Sequence, residues 1–122
     1  MRTVSSLLSG RPVEGAPGGR RQIPNPADLT YRVSEALLGD ADTFVRAARA
    51  AADAQAGWAA VPAPVRGEEI QHLGELVRAN KEALAALITR EIGKPIAESR
   101  GEVQEVIDTC SFFQSEGGVS MG

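Results

Sequence analysis

The sequence predicts a mainly α-helical chain in which a short β element precedes about four helices. Residues 29–37 alternate in part between apolar and polar side chains, as a half-buried strand does. Residues 41–56 are rich in alanine, which has the strongest helix propensity. From residue 64 onward, apolar residues recur at intervals of three and four, which is the pattern of an amphipathic helix.

Residues 1–26 are predicted to form a flexible arm, because four of the seven prolines and four glycines lie there. A lone strand is not stable, so the strand at 29–37 needs a partner in this arm or in a segment that the sequence lacks. The first thirteen residues contain arginine and serine but no acid, as organelle transit peptides do. Because Gly10 and Pro12 would interrupt a targeting helix, a disordered arm is the preferred interpretation.

The first predicted helix spans about 41–56, with Asp40 or Asp42 as its cap. Trp58, which follows it, is interpreted as a core anchor. The second helix spans about 64–80 and the third about 81–92. The fourth follows Pro95. The predicted buried stripes are Ile70, Leu73 and Val77 with Leu76 beside them, then Leu84, Leu87 and Ile88, then Val103, Val106, Ile107, Cys110 and Phe113.

The segment Gly93-Lys94-Pro95 predicts a tight turn between the third and fourth helices. Glycine takes the left-handed conformation just past a helix end at little cost, and proline fits the first turn of the next helix. A phosphate-binding loop is excluded, because that motif follows a strand and Pro95 lacks the backbone donor. Lys94 is therefore assigned to the turn.

Composition excludes several classes of function. The net charge is −3, and residues 40–122 contain eight basic and thirteen acidic residues, so a basic track for nucleic acid is absent from this acidic part. No apolar run has the length of a membrane span. A single cysteine has no intrachain disulfide partner, which agrees with a cytoplasmic location.

Two further residues, Cys110 and His72, belong to types that can carry chemistry. Cys110 lies within an apolar helical stripe, so a packed thiol is favoured over a nucleophile. His72, the only histidine, has no second ligand at metal-binding spacing, and Glu68 and Glu75 are ordinary helix-surface partners for it.

An ordered set of motifs resembles the amino-terminal part of the NAD(P)-dependent aldehyde dehydrogenase superfamily, over residues of about 23–116. The set comprises Asn25-Pro26, Trp58, Arg66, Gly93-Lys94-Pro95 and Gly101-Glu102-Val103. The resemblance implies an α/β parent fold, in which residues 27–122 are part of the Rossmann-like cofactor-binding domain. It also implies that Arg66 and Glu102 form a helix-to-helix ion pair or a cap. The last residues, 118–122, depart from the family pattern.

The resemblance implies an enzyme that oxidises an aldehyde to a carboxylic acid with NAD or NADP. The family's catalytic cysteine and glutamate, and its cofactor-gripping residues, lie downstream of the resembling region. No catalytic, cofactor-binding or metal residue is therefore assigned, and this chain alone is expected to be inactive and to bind neither cofactor tightly. Its expected partner is the remainder of such a fold or a second copy. The alternative is a non-catalytic helical interaction module derived from that scaffold.

Overall fold

The computed structural model describes residues 1–116, and the departure predicted at 118–122 lies outside them. Residues 1–58 and residues from 59 onward are two separate units. In chain order the elements are β1 (Arg2–Ser5), β2 (Leu7–Leu8), β3 (Arg11–Pro12), β4 (Arg20–Asn25), β5 (Asp28–Leu37), α1 (Ala41–Ala60), α2 (Ala63–Ala79), α3 (Lys81–Ile92) and α4 (Ile96–Glu116). This order confirms the predicted β element followed by four helices.

The first unit contains a three-stranded sheet in the order β1-β5-β4. β1 is parallel to β5, with Arg2 opposite Ser34, and β4 is antiparallel to β5. β2 and β3 form a separate two-stranded pair. The loop predicted for residues 1–26 is therefore wrong, because β5 takes both of its partners from that segment. The predicted division at residue 26 into an arm and a domain stays a prediction.

The turn between β4 and β5 explains why the prolines did not prevent strand formation. Pro24 lies at a register irregularity, where a missing ladder donor is tolerated. Asn25 Oδ1 accepts a hydrogen bond from the N–H of Ala27 at 2.9 Å, which is the local turn that asparagine favours. The prolines therefore lie at the edge and the end of the hairpin.

Of the two predicted caps, Asp40 and Asp42, it is Asp40 that caps α1. Its Oδ1 accepts hydrogen bonds from the Thr43 N–H at 2.8 Å and the Thr43 hydroxyl at 2.7 Å. These bonds, the backbone one first, lower the pKa of Asp40 from its ordinary value. The helix then extends through Gly57 and Trp58 to Ala60, since its many alanines favour a helix, and it ends two residues before Pro62. Trp58 lies within α1 and is 46% exposed, so its predicted role as a core anchor is wrong.

The second unit contains α2, α3 and α4. Its core consists of Ala85, Val103 and Ile107, with Val77, Leu84 and Ile88 packed against them. Several predicted stripe positions are exposed instead: Leu73, Leu76, Val106 and Phe113. On α2 the buried residues are Gly67 and Gly74. A Cβ on Gly74 would lie 2.9 Å from the Cβ of Cys110, so α2 contacts α4 through its glycines.

Candidate functional site

The turn between α3 and α4 has the predicted geometry. Gly93 has φ 81° and ψ 16°, in the left-handed region, and its N–H donates to the carbonyl of Thr89 at 2.9 Å. Pro95 lies one residue before α4, and its carbonyl accepts the N–H groups of Glu98 and Ser99 at 3.0 and 3.1 Å. The turn therefore provides hydrogen-bond partners for a backbone carbonyl at the end of α3 and for backbone N–H groups at the start of α4.

Lys94 extends from this turn to α4, where its ammonium donates a hydrogen bond to the Glu102 carboxylate. That hydrogen bond is the main reason why the pKa of Lys94 is raised, with smaller contributions from Glu102, Glu98 and Glu105 charge and with desolvation opposing it. Glu102 thus forms an ion pair, but its partner is the turn residue Lys94. Arg66 lies in the first turn of α2, where its N–H donates to the Pro62 carbonyl at 3.1 Å.

A buried polar contact fixes α3 against α4 near this turn. The hydroxyls of Thr89 and Ser99 lie 2.9 Å apart, and Ser99 is completely buried. A buried hydroxyl costs free energy unless it forms a hydrogen bond, so the pair favours one register of the two helices. The sequence patterns above did not predict this pair. Its only signal was a polar residue, Ser99, four positions before Val103 on the buried face of α4.

An open groove of about 490 Å³ lies between α2 and α4, and we call it the α2–α4 groove. It is lined by Ile70, Leu73, Glu102, Glu105, Val106, Thr109, Cys110 and Phe113. Most of its surface is apolar, since the two glutamates and Thr109 are its polar members. It is therefore better suited to an apolar side chain than to a charged cofactor.

Cys110 is buried, as predicted, with 6% of its surface exposed. The α2 backbone at Gly74 lies against its Cβ, and only the small exposed part of Cys110 borders the α2–α4 groove. His72 is exposed on α2. Among residues 1–116, no group of three or more His, Cys, Asp or Glu side chains is placed to hold a metal ion.

The chain belongs to the aldehyde dehydrogenase family, whose model matches residues 14–121. It is 35% identical over 109 residues to aldehyde dehydrogenase family 7 member A1 of Pisum sativum, covering 89% of this chain and 21% of that protein. It is 36% identical over 103 residues to the α-aminoadipic semialdehyde dehydrogenase of Bos taurus, covering 80% and 19%. The chain thus spans about a fifth of the length of these relatives.

A solved structure shows the same fold. The NAD-dependent aldehyde dehydrogenase of Sinorhizobium meliloti superposes with a TM-score of 0.87 at 27% identity, covering 93% of this chain and 23% of that one. The parent fold is therefore the Rossmann-like α/β fold of aldehyde dehydrogenases, as predicted. No described helix is both long enough and apolar enough to cross a membrane.

Proposed function

We propose that this chain forms the helical part of the cofactor-binding domain of an aldehyde dehydrogenase. The whole enzyme oxidises an aldehyde to a carboxylic acid with NAD or NADP. The observation that supports this most is the family match over residues 14–121, which includes the packed helices α2, α3 and α4. The names of its relatives, an NAD-dependent aldehyde dehydrogenase and a semialdehyde dehydrogenase, support the cofactor and the substrate class.

The chain by itself does not perform this oxidation. The reaction requires an accessible thiolate that attacks the carbonyl and a base that activates the deacylating water. The only thiol of the sequence, Cys110, is covered by α2. Its role is helix packing, and the reacting groups belong to segments beyond the matched fifth of the relatives.

Isothermal titration of the purified chain with NAD and with NADP, and an aldehyde oxidation assay that follows reduced cofactor, test this proposal. We expect no saturable binding and no turnover, with a complete aldehyde dehydrogenase as the positive control. Cys110→Ser should lower the free energy of unfolding, and this variant, like the wild type, should show no aldehyde oxidation. Micromolar cofactor binding, or turnover that Cys110→Ser abolishes, would show that the chain is an enzyme in its own right.

The partner that we propose for the second unit is the remainder of the aldehyde dehydrogenase fold, in the cytoplasm. The α2–α4 groove supports this, because three of its apolar lining residues are exposed: Leu73 on α2, and Val106 and Phe113 on α4. Exposed apolar surface of this kind marks an interaction site. The same observation favours the second candidate function, a non-catalytic interaction module.

Dye binding tests for this uncovered surface. The chain should bind the apolar dye ANS, and Leu73→Lys should reduce that binding, whereas Gln71→Lys, on an exposed neighbouring position, should not. A chain that melts cooperatively and binds no ANS would contradict both the missing partner and the interaction module. Sequencing the encoding DNA past codon 122 in all three frames distinguishes part of a complete enzyme from an interaction module. Family motifs with a cysteine and a glutamate support the complete enzyme, and their absence supports the module.

A further inference from the structure

We draw no further inference here: the strongest candidate, the open apolar groove between α2 and α4 that Cys110 borders, carries nothing beyond the proposed function, because nothing among residues 1–116 shows what covers it.

Discussion

Replacement of Gly74 by alanine tests whether α2 and α4 meet through the backbone of α2. The added Cβ would lie 2.9 Å from the Cβ of Cys110, well inside the distance of about 3.5–4.0 Å at which two carbon atoms pack. The Cβ of Cys110 is fixed to the α4 backbone and cannot rotate away. The helices must therefore separate, and the separation reaches the neighbouring core at Ile107.

The expected effect is the difference between two opposing contributions. Overpacking of a filled contact costs about 1–3 kcal/mol. Alanine in place of glycine inside a helix gains about 1 kcal/mol. Gly74→Ala should therefore lower the free energy of unfolding by about 0–2 kcal/mol. Gly101, in α4, has no atom within 4 Å of its added Cβ, so Gly101→Ala should raise it by up to about 1 kcal/mol.

Urea unfolding followed by circular dichroism measures the free energy of unfolding of both variants. Because both replace glycine by alanine inside a helix, the gain in helix propensity cancels in the difference between their free energies. The double variant Gly74→Ala/Cys110→Ala should show no rescue, because alanine retains the Cβ that the new methyl meets. The close contact of α2 and α4 would be refuted if Gly74→Ala were as stabilising as Gly101→Ala.

Two further predictions concern the polar contacts of α3, α4 and their turn. Thr89→Val removes the partner of the buried Ser99 hydroxyl and should lower the free energy of unfolding by about 1–3 kcal/mol. The double variant Thr89→Val/Ser99→Ala should recover most of that loss in the same urea measurement. If the double variant lost as much free energy of unfolding as Thr89→Val alone, the hydrogen bond between Thr89 and Ser99 would be contradicted. The pKa of Lys94 is raised from 10.5 mainly by its hydrogen bond to Glu102, so the stability from this pair is complete below about pH 10.5 and is lost as the pH rises through the raised pKa. Glu102→Gln should reduce the fall in stability above pH 10.5, and a fall identical to that of the wild type would contradict the pairing.

Local signals predicted the helices well. The α3 bounds, 81–92, agree with the prediction, and so do the Asp40 cap and the left-handed Gly93. Each of these depends on residues within one or two turns of each other, where capping and glycine geometry dominate. The strands of residues 1–26 were missed because pairing with β5 is a long-range effect. Proline and glycine composition describes turns, and it does not exclude short strands between them.

The buried face of α2 could not be predicted by apolar periodicity. Ile70, Leu73 and Val77 form a regular stripe, yet Leu73 is exposed while Gly67 and Gly74 are buried. Hydrophobic periodicity shows which side chains favour burial. Close contact between helices also depends on where glycines leave room for the neighbouring helix. The spacing Gly67, Ile70, Gly74, Val77 was the available signal, because it repeats at three and four residues as a contact face does.

This glycine contact also explains why Leu73 and Phe113 are exposed. Because α4 approaches the glycine side of α2, the larger side chains of both helices point to the rim of the α2–α4 groove. The same contact buries Cys110, the only cysteine of the sequence, while apolar side chains of the groove stay exposed. Two helices that pack through their small residues therefore leave their large side chains exposed.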